Sequence, residues 1–233
     1  SVDVYKRQVK SKTQINERLN TDTKDTKLRA DIESENLIKS LLSANSDYPI
    51  LAEESGSSSK DLGDIFWVVD PLDGTANYHR DIPICCVSIG LIYQMNPILG
   101  VVYDFNNNDL YSGDKFSKLS KLDENEIHVS NKTKKEDSIL ITGLPHNSDF
   151  SEKSLHGLIK DMQIYQKVRM IGSAAMAACY VASGKAEVYK EKGIYLWDII
   201  AGAAIVESAG GTAKISNQKD NFQVDVVFSN SKF

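Results

Sequence analysis

The residues best suited to chemistry lie in the segment Asp70-Pro71-Leu72-Asp73-Gly74-Thr75-Ala76-Asn77. The apolar run before it predicts a buried strand that delivers Asp70 to its end, where the proline turns the chain. Asp73 follows three residues later, so two carboxylates can converge on a hard divalent cation. The residues after Gly74 can open a helix whose free N–H groups point toward an anion. The segment therefore predicts a metal and phosphate site, although the same string also makes a good turn.

Other acidic residues occur where elements begin or end. Glu53 and Glu54 follow a short apolar run, and Asp198 lies in the first turn of a predicted helix. Carboxylates at such junctions can line a cleft, and two Mg²⁺ ions about 3.5–4 Å apart can activate water and stabilise the departing oxygen of a phosphate ester. Because the acids alone would repel phosphate, we predict phosphate-ester hydrolysis that depends strictly on metal.

Apolar periodicity predicts the elements that position these acids. In the first part of the chain it predicts a helix over 27–43 and strands over 48–52, 65–69, 85–93, 98–103 and 110–113. A turn at Met95-Asn96-Pro97 joins the strands over 85–93 and 98–103. In the second part it predicts strands over 139–142 and 166–170 and helices over 152–160, 173–182 and 197–209. The charged stretch from Asp114 to Asp137 predicts a domain boundary or a mobile excursion, which divides the chain into 1–135 and 136–233.

Composition excludes several classes of protein. The 233 residues include 27 Lys plus Arg against 32 Asp plus Glu, a net charge of −5, which argues against a basic nucleic-acid binder. No apolar run has the length of a membrane span and the first residues lack a signal-peptide pattern, so we expect a cytoplasmic protein with no membrane partner. The three cysteines lie in apolar segments and predict no disulfide. The four histidines share no metal-binding spacing, so none is assigned a catalytic role.

The hexapeptide Asp3-Val4-Tyr5-Lys6-Arg7-Gln8 matches one reading frame of a transposase end sequence used in library preparation. We therefore expect adapter-derived residues at positions 3–8, native sequence from near Val9, and a truncated amino terminus. The end at Phe233 is consistent with loss of a terminal helix as well.

Three motifs follow one another along the chain, namely Leu51-Ala52-Glu53-Glu54-Ser55, the segment from Asp70 to Asn77, and Trp197-Asp198-Ile199-Ile200-Ala201-Gly202. Together with Ala30-Asp31 and Gly172-Ser173-Ala174-Ala175, they resemble the inositol monophosphatase family. The resemblance implies an α/β fold of alternating helix and sheet layers, the αβαβα sandwich of the sugar-phosphatase type. It also implies a cytoplasmic homodimer that is lithium-sensitive and binds two or three Mg²⁺ ions.

The resemblance also implies roles for individual residues. Metal would be held by Glu53, Asp70, the carbonyl of Leu72, Asp73 and Asp198. Thr75 and Asp31 would position the attacking water, with Glu53 also in the catalytic set. Substrate would meet Gly74, Thr75, Asp198 and the wall formed by Gly172, Ser173 and Ala174, while Glu191 would contact a hydroxyl of inositol. One departure from the family pattern is the lysine- and aspartate-rich stretch from Asp114 to Glu126, where the family usually has a turn rich in glycine and alanine.

We therefore expect a phosphatase for a small polyol or sugar monophosphate, with inositol monophosphate first and direct attack by a metal-activated water. A 3′(2′),5′-bisphosphate nucleotidase or a fructose-1,6-bisphosphatase remains an alternative. The acid at Glu191 would repel a nucleotide bisphosphate, but Lys190 and Lys192 flank that acid and could offset the repulsion, so the preference for a monophosphate is modest. The string Leu72-Asp73-Gly74-Thr75 also resembles the nucleophile motif of haloacid-dehalogenase phosphatases, but that motif needs a carboxylate where Pro71 stands. A catalytically inactive binding homologue is the alternative from another class.

Overall fold

The structure is a computed structural model that describes residues 29–144 and 150–232. The suspected adapter residues and His146 lie outside these ranges. In chain order the helices are α1 (Arg29–Asn45), α2 (Thr75–His79), α3 (Glu152–Ile164), α4 (Ala174–Ala182) and α5 (Leu196–Ser208), with a short 3₁₀ helix at Lys135–Asp137.

The first sheet has eight strands in the order β2-β1-β3-β4-β5-β6-β7-β8. Apart from the parallel pair β1 and β3, its neighbours are antiparallel. Its strands are β1 (Ile50–Ala52), β2 (Gly56–Ser57), β3 (Ile65–Asp73), β4 (Cys86–Tyr93), β5 (Asn96–Asp104), β6 (Asp109–Asp114), β7 (Leu119–Leu122) and β8 (Asn125–Glu126).

The second sheet has five strands in the order β10-β9-β11-β13-β12. Strand β9 pairs in parallel with β10 and β11, whereas β13 is antiparallel to β11 and β12. Its strands are β9 (Ile139–Thr142), β10 (Lys167–Arg169), β11 (Val188–Tyr195), β12 (Thr212–Ser216) and β13 (Gln223–Ser229).

Helices α4 and α5 pack against each other and occupy the layer between the two sheets, where almost all of their residues are buried. Three glycines, Gly90, Gly100 and Gly113, lie opposite one another on neighbouring strands β4, β5 and β6. A Cβ atom at each of them would collide with the backbone or side chains of α5. This row of glycines lets α5 lie close to the first sheet, which places the start of α5 beside the end of β3.

The outer helices complete the layers. Ile38 of α1 packs with Ile50, Val69 and Val87 on the other face of the first sheet. Tyr165, which follows α3, packs on Leu140 and Val188 of the second sheet. The order helix, sheet, helices, sheet, helix confirms the predicted αβαβα sandwich. The division into domains at 135 remains a prediction.

Three local expectations were wrong. The chain does not turn at Asp70-Pro71, because β3 continues to Asp73 through a bulge opposite β4, and a bulge accommodates a proline that has no N–H to donate. The hairpin between β4 and β5 turns at Gln94 and Met95, whose φ angles of 48° and 60° suit a tight hairpin turn, and Asn96 already belongs to β5. The stretch 114–137, expected as a domain boundary or a mobile excursion, contains β7 and β8, which extend the first sheet, so its first part is not an excursion.

The other predicted helices agree with the structure, except that the helix predicted over 152–160 extends to Ile164 as α3. The helices over 27–43, 173–182 and 197–209 are found within two residues of their predicted ends wherever the structure describes them. All three cysteines are buried and free. Within the described residues, no helix has the length and apolar character needed to cross a membrane.

Candidate metal and phosphate site

Three aspartates meet where β3 ends and α5 begins. Asp70 and Asp73 flank the bulge of β3, and Asp198 lies in the first turn of α5. One carboxylate oxygen from each lies within 4.8 Å of the others. The wide sequence separation of Asp198 from the other two is closed by the packing of α5 on the first sheet. Oxygens at this spacing can ligate a common divalent cation.

Asp73 also holds the start of α4. Its Oδ2 accepts hydrogen bonds from the Ser173 hydroxyl at 2.5 Å and from the Ala175 N–H at 2.7 Å, and its Oδ1 accepts from the Ala174 N–H at 3.3 Å. The Cys86 thiol lies 3.8 Å from Oδ2. A carboxylate at a helix N-terminus satisfies N–H groups that lack partners within the helix. Asp73 thus joins the two sequence-distant motifs as well as contributing charge to the cluster.

Asp198 is fixed by the start of its own helix. Its Oδ2 accepts from the Tyr195 N–H at 3.1 Å, which closes a capping box. The rings of Tyr195 and Trp197 stack with centroids 4.6 Å apart and an angle of 6° between their planes. Trp197 also packs near Phe222. The aromatic residues therefore stabilise the turn that carries Asp198.

Glu53 and Asp31 complete the acidic cluster. Glu53 directly follows β1, next to the end of β3, and its N–H donates to the Val69 carbonyl at 3.1 Å. Asp31 lies in the first turn of α1 and is only 1% exposed. Both Asp198 and Asp31 repel the Glu53 carboxylate electrostatically, which places all three in one neighbourhood.

The acids destabilise one another's charged forms. Burial raises the pKa of Glu53, Asp70 and Asp198 well above the ordinary carboxyl value, and repulsion from neighbouring acids raises it further. Burial also raises the pKa of Asp73, against the opposing effect of its hydrogen bonds. The strongest charge effects on Glu53, Asp70 and Asp198 all come from other carboxylates. No cationic side chain is among these strongest charge effects, and the donors in the cluster are carboxylate oxygens. Both features fit Mg²⁺.

The turn from β3 into α2, next to Asp73, carries three further residues of the predicted site, Leu72, Gly74 and Thr75. The Thr75 hydroxyl donates to the Leu72 carbonyl at 3.0 Å. Gly74 adopts φ 88°, and a Cβ atom there would lie 2.8 Å from the Ile84 carbonyl oxygen, so both conformation and space require glycine. The backbone can therefore turn sharply from β3 into α2 and bring Thr75 next to the end of the strand.

Two site-building residues were missed in the sequence. Asn77 donates from Nδ2 to the carbonyls of Ile84 and Ile171, each at 2.8 Å, and so ties α2 to the segment before α4. Glu35 is 2% exposed and accepts from the N–H groups of Glu54 and Ser55 at 2.8 and 3.1 Å. An acid four residues after Asp31, on the same face of a helix, was the available signal for Glu35. Its bonds to the turn after Glu53 also indicate how that turn is held.

The other expected contacts divide into two groups. Ser173 and Ala174 lie beside the aspartates, where they bond Asp73, and Gly172 precedes them with φ 72° next to the Asn77 amide. Glu191 lies within electrostatic reach of Asp73 and Asp198. The roles of these residues toward a substrate remain predictions.

The expected influence of the lysines on Glu191 was wrong in one respect. Lys190 forms an ion pair with Asp161 of α3, on the face of the second sheet opposite Glu191. Side chains on a strand alternate between the two faces of the sheet, so Lys190 faces the outer helix α3 while Glu191 faces the other way. It does not offset the charge of Glu191.

Comparisons with known proteins show the family and the fold of this chain. A sequence model of the inositol monophosphatase family matches residues 2–232. This chain belongs to the inositol monophosphatase family. An inositol-1-monophosphatase of Synechocystis is 36% identical over 192 residues, which cover 80% of this chain and 66% of that protein. The Nus factor SuhB of Xylella fastidiosa is 37% identical over 176 residues, which cover 75% of this chain and 63% of that protein.

The chain spans just under two thirds of the length of these two curated relatives. Among solved structures, an inositol monophosphatase from Anabaena superposes with a TM-score of 0.82 at 28% identity, covering 98% of this chain and 87% of that one. An extragenic suppressor protein suhB from Bartonella henselae gives 0.83 at 28% identity, with coverage of 99% and 89%. The agreement in fold therefore extends over nearly the whole chain.

When divalent cations are removed, the acidic cluster predicts that the stability of the fold falls as pH rises. The folded protein holds protons on these carboxyls more tightly than the unfolded chain does, because their folded pKa values are raised. In chelator, the melting temperature should therefore be highest near the ordinary carboxyl pKa and should fall as pH rises through the raised values. Calorimetry between pH 5 and pH 8, with chelator or with Mg²⁺, measures this. An equally steep decline with Mg²⁺ present would contradict the assignment of the cluster to the cation.

Proposed function

We propose that this protein is a Mg²⁺-dependent phosphomonoesterase that hydrolyses a small polyol or sugar monophosphate, with inositol monophosphate as the first candidate. The observation that carries this proposal is the convergence of Asp70, Asp73 and Asp198 within 4.8 Å, beside Glu53 and the start of α2. Family membership and the inositol-1-monophosphatases among its relatives support the same activity.

The residues present would divide the work as follows. Glu53, Asp70, Asp73 and Asp198 would hold Mg²⁺ together with the Leu72 carbonyl. Bound Mg²⁺ supplies positive charge for the phosphate oxygens and makes water a stronger nucleophile near neutral pH. The N–H groups of Gly74 and Thr75 would bind a phosphate oxygen at the start of α2, where they lack partners within the helix.

Thr75 would orient the attacking water. Its hydroxyl proton is directed to the Leu72 carbonyl, so its oxygen lone pairs can accept a hydrogen bond from water. The carboxylate of Asp31 would accept a hydrogen bond from the other O–H group of that water. Fixing the water in this way would align one lone pair with phosphorus and lower the entropic part of the barrier.

The polyol would meet Glu191. We expect Glu191→Gln to lower kcat/KM for inositol 1-phosphate by roughly 10- to 100-fold above pH 7, where Glu191 is mostly ionised, because two charged acceptor oxygens are replaced by one neutral acceptor. Steady-state kinetics with inositol 1-phosphate, fructose 1,6-bisphosphate and 3′-phosphoadenosine 5′-phosphate measure the change. A hundredfold preference of the unaltered protein for the nucleotide, equivalent to about 2.7 kcal/mol, would instead favour the bisphosphate nucleotidase.

A second candidate function is that of a binding homologue without catalysis. The name Nus factor SuhB, carried by relatives at 35–37% identity, is the observation that favours it. Retention of Asp31, Glu53, Asp70, Asp73 and Asp198 at one site supports the phosphatase instead. Inactivity of the full chain with Mg²⁺ across a broad panel of phosphate monoesters would promote the binding function.

A further inference from the structure

Glu191 is held at the rim of the acidic cluster by two neighbours to which no role has been given. It lies on β11, seven residues before Asp198, and its carboxylate feels the charge of Asp73. Burial raises its pKa to about 7. A long, flexible side chain with this placement needs contacts that fix its carboxylate if it is to select among substrates.

The first neighbour is Gly143, directly after β9. The last paired residues of β9 and β11 are Thr142 and Lys190, and the Thr142 hydroxyl donates to the Lys190 carbonyl at 2.7 Å. The next position on each strand brings Gly143 beside Glu191. A Cβ atom at position 143 would lie 2.5 Å from the carboxyl carbon of Glu191. The Glu191 carboxylate thus occupies the space that any side chain at position 143 would take.

The backbone does not itself demand glycine at this position. Gly143 is absent from the glycines with positive φ in the described residues, so an alanine could adopt its conformation. The atoms that an alanine would meet belong to the far end of the Glu191 side chain, which can rotate away. Alanine at position 143 should therefore leave the fold intact and displace the carboxylate.

The second neighbour is Tyr189. Its hydroxyl donates to Oε2 of Glu191 at 2.8 Å, and its ring is 1% exposed, packed near Phe228 of β13. Residues two apart on a strand share a face, so Tyr189 supports Glu191 from within the core. A buried ring has few alternative positions, and it therefore gives the carboxylate a fixed hydrogen-bond donor.

We propose that Gly143 and Tyr189 are positioning residues that set the selectivity of the site for polyol monophosphates by fixing the carboxylate of Glu191. Gly143 provides the space and Tyr189 the hydrogen bond. One oxygen of the carboxylate bonds Tyr189, which leaves the other to accept hydrogen bonds from ring hydroxyls of the substrate. This inference rests on the proposed function for its substrate class, whereas the positions of Gly143, Tyr189 and Glu191 do not depend on that function.

The test compares Gly143→Ala and Tyr189→Phe on two esters in the presence of Mg²⁺. For inositol 1-phosphate, Gly143→Ala should raise KM at least about tenfold and Tyr189→Phe roughly three- to tenfold, with smaller changes in kcat. For p-nitrophenyl phosphate, whose leaving group has no ring hydroxyls, kcat/KM should stay within about twofold. In a Glu191→Ala background, Gly143→Ala should have no further effect, because the carboxylate that it displaces is absent.

The matched control is Gly157→Ala in α3, where a new Cβ atom meets nothing within 4 Å. It should behave as the unaltered chain on both esters. Equal loss on both esters in Gly143→Ala, or the same loss with Glu191 already replaced by alanine, would overturn the proposal. Inactivity of the unaltered chain on both esters would overturn the proposed function and the selective role together.

Crystal structures of the unaltered chain and of Gly143→Ala decide the positioning independently of activity. The alanine variant should show the Glu191 carboxylate rotated away from position 143 and its hydrogen bond with Tyr189 lengthened or lost. An unmoved carboxylate, still bonded to the Tyr189 hydroxyl, would refute the positioning role of Gly143 even in an active enzyme.

Discussion

Asp198→Asn is expected to lower kcat/KM for inositol 1-phosphate by on the order of a thousandfold, equivalent to about 4 kcal/mol of transition-state stabilisation. The substitution removes one of three converging negative charges at the proposed cation site. Asparagine keeps a side-chain oxygen that can accept from the Tyr195 N–H, so the capping interaction at the start of α5 is retained. The measurement is steady-state kinetics over a Mg²⁺ titration.

The same variant should be at least as stable as the unaltered chain in chelator, because it relieves repulsion within a buried cluster. Its melting temperature should rise less on addition of Mg²⁺, which measures the lost affinity without reference to activity. Asp73→Asn is a less selective variant, since Asp73 also accepts hydrogen bonds from Ser173 and Ala175 at the start of α4. A full stabilisation by Mg²⁺ in Asp198→Asn would contradict the role of Asp198 as a ligand.

The three aspartates could be predicted from sequence because their signals are local. Asp70 follows an apolar strand pattern and Asp198 opens an apolar helix, so each is found at the end of an element. The juxtaposition of the two was predicted from the resemblance of ordered motifs and not from periodicity. In the structure it depends on the approach of α5 to the glycine row of the first sheet, a contact between elements distant in the chain.

The bulge in β3 could not be predicted from its local sequence. Asp70-Pro71 usually ends a strand, because proline offers no ladder donor. Here the strand continues because a register shift opposite β4 absorbs the extra residue, and that shift is set by pairing with a neighbour. The bulge matters for the site, since it places Asp70 and Asp73 within reach of one cation.

The residues that support the site were missed for the same reason. Glu35 bonds backbone groups 19 and 20 residues away, and Asn77 bonds a carbonyl 94 residues away. Likewise, the polar composition of residues 114–126 concealed β7 and β8, whose pairing partners fix them at the edge of the first sheet. Local propensity is weak where strand pairing and tertiary contacts decide the structure.

Thr75→Ala is expected to lower kcat by roughly 100- to 10,000-fold while leaving the Mg²⁺ dependence nearly unchanged. The hydroxyl is proposed to orient the attacking water, and it donates to the Leu72 carbonyl at 3.0 Å without itself belonging to the aspartate cluster. Loss of that hydrogen bond should cost only about 1 kcal/mol of stability, so the variant should remain folded. Single-turnover kinetics with saturating Mg²⁺ measure the chemical step, and the melting temperature against Mg²⁺ concentration measures metal affinity.

Thr75→Ser is the matched control, because serine keeps the hydroxyl and removes only a methyl group. It should retain most of the turnover that Thr75→Ala loses, provided that the serine hydroxyl still reaches the Leu72 carbonyl. Thr75→Ala and Asp198→Asn should therefore separate in two measurements: the first loses turnover with metal affinity preserved, whereas the second loses both. If Thr75→Ala weakened the stabilisation by Mg²⁺ as strongly as Asp198→Asn does, the hydroxyl would belong to the metal site, and the proposed division between orienting water and holding the cation would be wrong.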